Sequence, residues 1–214
     1  PGRSTGVERE RRKLAFTEHL VEVAGPVLDD FAPDLVYERL ALFGTAGLRL
    51  ARRTGARHVL VINALLTREE ATWRGLHHTE LAARREHEAL VAADLRVAVS
   101  HEWAEEVRAL VGRHPTVTVP NGVAADAFRA LPRRAAARAA FGLPAGTMLA
   151  GFVGALRGWH GLDVAIDALA ETAQPVDLVV AGDGDLRAEL TARAQARGVA
   201  DRVHWLGHVA HDRV

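Results

Sequence analysis

The chain has 214 residues, 49% of them hydrophobic and 25% charged, with 27 basic against 27 acidic side chains. This is a globular composition, long enough for one large domain or two small ones. The zero formal net charge argues against a dedicated nucleic-acid binder, which carries a basic excess or stripe. No run reaches the roughly 18 apolar residues of a membrane-spanning helix, and Pro1 to Lys13 is too polar and Arg-rich for a secretory signal. Zero cysteines exclude disulfides, thiolate metal sites and a cysteine nucleophile together. Lys13 is the only lysine, so no later residue can form a Schiff base.

In chain order, Val7 to Phe31 has the pattern of a helix that Pro33 ends. Leu35–Val36–Tyr37 is a strand candidate, and Phe43 to Arg53 a helix closed by Gly55. His58 to Ile62 is a continuous apolar run, the mark of a strand buried on both faces of a parallel sheet. Glu69 to Ala93 predicts one long amphipathic helix and Leu95 to Val99 the next buried strand. Ser100 is the candidate N-cap of a helix from Glu102 to Leu110. Val117 to Val119 predicts a strand ending at the turn Pro120–Asn121–Gly122.

After a weak stretch from Asn121 to Leu131, the alternation resumes. It predicts a helix from Pro132 to Phe141, a strand from Met148 to Val153 and a helix from His160 to Ala173. A strand from Val176 to Ala181, a helix from Leu186 to Arg197 and a strand from Val203 to Leu206 follow. Repeated strand–helix alternation with apolar strands implies an α/β fold of two doubly wound, Rossmann-like parallel sheets. The division is placed at 1–125 and 126–214, with a cleft expected at the hinge. Ligands of open α/β sheets bind beyond the carboxyl ends of the strands. The turns after the strands are therefore the candidate sites.

The most informative turn is Gly151–Phe–Val–Gly–Ala–Leu–Arg–Gly–Trp–His–Gly161. Gly154 permits close approach to the backbone, and a helix opening near Gly161 offers unpaired N–H groups and a positive dipole end. Arg157 and His160 add donors. Together these would hold a diphosphate without a metal, the guanidinium and helix dipole standing in for a cation. An ordinary βα turn with a surface arginine has the same pattern. Gly182–Asp–Gly–Asp185 also opens a helix after a strand, but it lacks the full G-x-G-x-x-G pattern and reads more simply as a tight turn. No metal site is expected. His77 and His78 would point about 100° apart on a helix, and His208 and His211 have only Asp212 near ligand spacing. Trp73, Trp103 and Trp205 fall in helix or strand patterns and read as core or rim rather than stacking platforms.

Several segments, taken in order, resemble the family 4 glycosyltransferases, a retaining group with the two-domain GT-B fold. Pro33–Asp–Leu–Val–Tyr–Glu–Arg39 is similar to the family's P-D-h-h-Y-x-R strand, and Asn63–Ala64–x–Leu66–x–x–Glu69 resembles its N-A-P-L-x-x-E segment. Ala93–Asp94 through Val99–Ser100 resembles A-D-x-h-h-x-V-S. Val119–Pro–Asn–Gly–Val123 with Phe128 is similar to the element joining the two domains. Phe152–Val–Gly154, Trp159–His–Gly161, Gly182–Asp–Gly184 with Arg187, and Asp201–Arg–Val203 with Gly207 complete the order. The departures are Ala155 and His160, where many members carry Arg and Lys, and Val61 and Leu65, where the motif has Glu and Pro.

The resemblance implies transfer of a sugar from a nucleotide-diphosphate sugar to an acceptor hydroxyl with retention. The acceptor would be a glycan, lipid or small molecule of cell-envelope or metabolite glycosylation. It implies the donor diphosphate at Gly154, Arg157, His160 and Gly161, and the base side at Gly182, Gly207 and Val209. Asn63, Ser100, Asn121 and Gly122 would face the acceptor, no cofactor beyond the donor would be needed, and the location would be cytoplasmic. Arg157, with His160 second, would stabilise the departing diphosphate. The family's first strand would precede Pro1 and its Glu-x7-Glu element would follow Val214, so the polypeptide alone is expected to be inactive and only marginally stable. A GT-B nucleotide-sugar epimerase and a non-catalytic sugar-binding or scaffold paralogue remain as alternatives. The basic stretch from Arg3 to Lys13 could meet the inner face of an anionic membrane, though a solvated helix end explains it more simply.

Overall fold

The computed structural model describes residues 6–129 and 131–213, and the chain falls into two compact units, Pro1–Gly122 and Val123–Val214. The change of unit lies at the Pro120–Asn121–Gly122 turn. Arg3, and the side chain of Asp212, lie outside the described residues.

In the first unit, α1 (Gly6–Phe31) precedes β1 (Leu35–Arg39), α2 (Ala46–Thr54) and β2 (Arg57–Ile62). Then come α3 (Leu66–Trp73), α4 (Thr79–Ala92), β3 (Leu95–Ala98), α5 (His101–Val111) and β4 (Thr116–Thr118). The four strands are parallel in the order β1-β2-β3-β4. Leu60 and Ile62 of β2 pack with Leu90 of α4 and Val107 and Val111 of α5 to form the core. On the other face Val61 is buried but Leu35, Tyr37 and Val117 stay exposed, so burial on both faces is confined to the sheet's centre.

The single helix expected over Glu69 to Ala93 is two helices. Gly75 takes φ +67°, a left-handed conformation that ends α3. The backbone N–H groups of His77 and His78 then turn away to donate to the Glu10 carboxylate at 2.8 and 2.9 Å. His77 and His78 therefore sit in the connection and not on a helix face. The helix expected from Phe43 begins at Ala46, because Phe43 itself has φ +64° with its side chain buried. Ser100 caps α5 as expected, its hydroxyl accepting from the Trp103 N–H at 3.3 Å.

The motif acids of this unit act as stitches. Glu38 accepts from the Gly47 N–H at 2.9 Å and pairs with buried His58 at 3.0 Å, joining β1, β2 and α2. Asp94 accepts from the His58 N–H at 2.8 Å and pairs with Arg57, and these bonds hold its carboxyl below the usual range. Arg96, fully buried, donates to the carbonyls of Leu90 and Ala93 at the end of α4 and to that of Pro115.

The second unit has α6 (Arg134–Ala140), β5 (Met148–Val153), α7 (Leu162–Glu171), β6 (Val176–Ala181), α8 (Arg187–Ala196) and β7 (Val203–Gly207). Its three strands are parallel in the order β5-β6-β7. Ile166, Leu169, Leu178, Val180 and Leu190 centre the core. α7 starts two residues later than expected. Gly158–His160 forms one 3₁₀ turn, and Gly161 at φ +66° redirects the chain into the helix. α6 is likewise shorter than the span from Pro132 to Phe141, since Arg133 is still extended.

Candidate functional site

In the second unit, the turns after all three strands meet at one end of the sheet. The Gly154 N–H donates to the Ala181 carbonyl at 3.0 Å, and the Gly182 N–H to the Gly207 carbonyl at 2.7 Å. The Leu156 N–H reaches the Asp183 carbonyl at 3.1 Å. Glycine is required at the centre of this contact: a Cβ on Gly182 would lie 1.9 Å from the Gly154 carbonyl oxygen, and Gly182 has φ +145°. Gly154, Gly182 and Gly207 are thus drawn together, with Val209 two residues beyond. The Gly182–Asp185 turn packs directly against the Gly154 loop through these backbone contacts.

On this floor stand the polar groups. Gly161, the N-cap of α7, brings no capping side chain, so the first-turn N–H groups of the ten-residue helix keep the positive end of the dipole. The His160 ring is exposed, edge-on to Trp159 and tilted against Phe152, with Nδ1 2.7 Å from the Ala155 carbonyl oxygen. A carbonyl only accepts, so Nδ1 carries the proton and Nε2 is the nitrogen left for another partner. Arg157 is half-exposed, with Nη1 3.9 Å from Asp185. A pair that long between exposed groups contributes little to stability, so the guanidinium is kept near the loop without being used up. The Arg187 guanidinium lies 4.3 Å from the centre of the Trp205 ring, which also packs on the core.

In the first unit, Asn63, Ser100 and Asn121–Gly122 follow β2, β3 and β4 and so share the carboxyl edge of one sheet. Asn63, Asn121 and Gly122 are exposed, while the Ser100 hydroxyl is engaged in capping. The sequence reading missed a second cluster here. Glu70 of α3 is buried, and Lys13, Arg74 and Arg9 converge on its carboxylate at 2.9, 2.7 and 3.4 Å. Burial pushes its pKa up, but the three cations outweigh this and the carboxyl is held below its usual value. Arg9 and Lys13 are therefore not a merely solvated helix end. The only trace in the sequence was a basic run opening a helix, 57 residues from its partner. Among the described residues, no group of three or more His, Asp or Glu is placed to hold a metal ion, and no helix is long and apolar enough to cross a membrane.

Two family models cover most of the chain: Glycosyltransferase Family 4 matches residues 7–127 and Glycosyl transferases group 1 matches residues 133–214. The D-inositol 3-phosphate glycosyltransferase of Xylanimonas cellulosilytica is 32% identical over 183 residues, covering 79% of this chain and 44% of that protein. The D-rhamnosyltransferase WbpZ of Pseudomonas aeruginosa is 48% identical over 58 residues, 27% of this chain and 14% of its own length. Among solved structures, Anabaena Alr3699/HepE in complex with UDP superposes with a TM-score of 0.69 at 22% identity, covering 92% of this chain and 53% of that one. The chain thus spans less than half of these curated relatives, and the structural likeness shows the GT-B architecture of parallel α/β sheets.

Proposed function

The chain belongs to the glycosyltransferases of family 4, and on that premise we propose that it carries the donor and acceptor elements of an enzyme moving a sugar from a nucleotide-diphosphate sugar to an acceptor hydroxyl. The donor diphosphate sits over the Gly154–Gly161 turn and the base side lies toward Gly207 and Val209. The observation that carries this reading is the convergence of glycine turns, uncapped helix N-terminus, Arg157 and His160 at one end of the second sheet. HepE, of the same architecture, holds UDP.

As the bond from the anomeric carbon to the diphosphate breaks, negative charge grows on the leaving oxygen. Groups already aimed there stabilise it without reorganisation. The α7 N–H groups face one side of that charge. Arg157 exchanges its long contact with Asp185 for a fork of charge-assisted bonds to phosphate. His160, its Nδ1 tied to Ala155, offers Nε2 as a donor when protonated. This set supplies positive charge that a cation would otherwise bring, so the transfer proceeds without a metal, and with retention of anomeric configuration. Asn63 and the turn at Asn121–Gly122 shape the acceptor side from the first unit. The acceptor is a glycan, lipid or metabolite of cell-envelope type, used on the cytoplasmic side.

Calorimetric titration of UDP into the purified chain tests the donor site. A hydrogen bond from a charged donor is worth about 1.5–3 kcal/mol, so Arg157→Ala should weaken binding about 10- to 100-fold while the far-ultraviolet spectrum is unchanged. Equal affinity of the two proteins, or no UDP binding by either, overturns the reading.

A further inference from the structure

Outside the donor turn, the first unit has an open cavity of about 670 Å³ between the first half of α1, the segment after β1 and helix α3. Among the described residues that line it, four are cations, Arg9, Arg12, Lys13 and Arg74, and one is a carboxylate, Glu70. Glu8 and Glu69 pair with Arg12 and Arg74 at 3.6 and 4.0 Å but do not line the cavity, and positive charge stays in excess even with both counted. The cations are pre-positioned: the Glu70 carboxylate holds three of them at one point, 2.7 to 3.4 Å away. Among the described residues, the buried Arg9 Nε–H has no hydrogen-bond partner, a state that proteins seldom leave unexplained. Phe16, Leu42 and Leu66 add apolar surface to the same lining.

Position adds to chemistry. Ala41 and Leu42 follow β1, and Leu66 opens α3 three residues after Asn63, so the cavity stands beyond the carboxyl ends of β1 and β2. That is where ligands of parallel α/β sheets are held. Guanidinium forks match the tetrahedral oxygens of phosphate better than any neutral group.

We propose that this cavity binds the phosphate group of a phosphate-ester acceptor, with the carbon part of the acceptor against Phe16, Leu42 and Leu66. The inference rests on the transferase reading and names the class of its acceptor. An acceptor phosphate here lies beside the carboxyl edge from which Asn63 projects. Glu70 has two effects: it gathers the cations, and it opposes the incoming anion. The cavity is therefore tuned to take phosphate reversibly, as a substrate site must.

The test is calorimetric titration of glycerol 3-phosphate into the purified chain at low salt, with glycerol as the blank and UDP titrated in parallel. We expect binding of glycerol 3-phosphate and none of glycerol. Arg12→Gln, a change at an exposed side chain outside the Glu70 cage, should weaken binding severalfold, and Arg9→Gln at least tenfold. Glu70→Gln removes an anion a few ångströms from the bound phosphate and should tighten binding up to about tenfold, an outcome that a purely structural role for the cage does not produce. If Arg9→Gln fails to fold, Arg12→Gln and Glu70→Gln decide. Flotation with phosphatidylglycerol vesicles, against phosphatidylcholine vesicles, distinguishes the sources. Vesicle binding that Arg12→Gln weakens, without binding of glycerol 3-phosphate, assigns the phosphate to a lipid; the reverse assigns it to a soluble ester. Binding of neither probe, or binding indifferent to both variants, overturns the proposal. UDP binding lost in Arg157→Ala but kept in Arg12→Gln leaves the donor reading standing in that event. Absent UDP binding removes the donor reading while leaving a measured phosphate-ester site intact.

Discussion

Gly182→Ala is a small change with a severe steric consequence. The new Cβ would lie 1.9 Å from the Gly154 carbonyl oxygen and 2.8 Å from its carbon. Neither neighbour is a flexible side chain, so the turn after β6 must move away from the turn after β5 by more than an ångström. That movement breaks the bonds from Gly154 N–H to Ala181 and from Gly182 N–H to Gly207, each worth about 1 kcal/mol. A non-glycine residue at φ +145° adds backbone strain of about 1–3 kcal/mol. The sum is about 3–5 kcal/mol, which at 1.4 kcal/mol per decade is roughly a hundredfold to a few thousandfold in an opening equilibrium. Hydrogen exchange read by mass spectrometry resolves this by peptide. β5 and β6 should lose protection by that factor while β1 to β3 keep theirs. Gly151→Ala is the control: it lies on β5, with nothing within 4 Å of a new Cβ, and should change protection by less than about 0.5 kcal/mol. Comparable loss in the two variants would refute the argument from close approach.

Glu10→Ala should destabilise the first unit by about 3 kcal/mol or more, because it strands the N–H groups of His77 and His78; urea unfolding followed through first-unit peptides checks this. The pH dependence follows from the same carboxylates. Burial pushes Glu10 and Glu70 up, yet the hydrogen bonds from His77 and His78 and the cations around Glu70 hold both below their unfolded values. Their stabilisation is then complete above the unfolded pKa of about 4.3 and lost as pH falls through the folded values. The melting temperature of the first unit should be flat from pH 7 to 5 and fall below about pH 4.5; constancy down to pH 3 contradicts it. Ser100→Ala should cost about 1 kcal/mol through loss of the α5 cap, and leave acceptor affinity alone. A change in acceptor affinity without loss of stability would return Ser100 to the binding surface.

Much of the fold was legible because buried parallel strands and helix periods leave local signatures. β2, β3, β5 and β6 could be read from apolar runs, and Ser100 from its place before α5. The late starts of α2 and α7 come from local backbone turns at Phe43 and Gly161, whereas the larger errors share another cause, a partner distant in sequence. Nothing near Gly75 reveals that Glu10, more than sixty residues earlier, will take the N–H groups that would have continued the helix. The donor turn could be located from Gly154 and Gly161, but the reason for Gly182 could not, since its constraint is the backbone of another loop. The Glu70 cage was hidden for the same reason. Its charges look like ordinary solvated side chains until α1 is laid against α3.

Lys13 is the sole lysine in these 214 residues, and its Nζ stands 2.9 Å from the buried Glu70 carboxylate. An ammonium so held is a poor nucleophile, and α1 buries only Glu10, Thr17 and Gly25, none of them a large apolar anchor. The Lys13 side chain keeps 34% of its surface exposed, so acylation of the one side-chain amine competes with its ion pair to Glu70. The yield of a single modified peptide against time becomes a clock for release of that ammonium, read out at one position with no engineered probe. Anything that fills the neighbouring cavity slows that clock, whereas a ligand confined to the second unit leaves it running at its original rate.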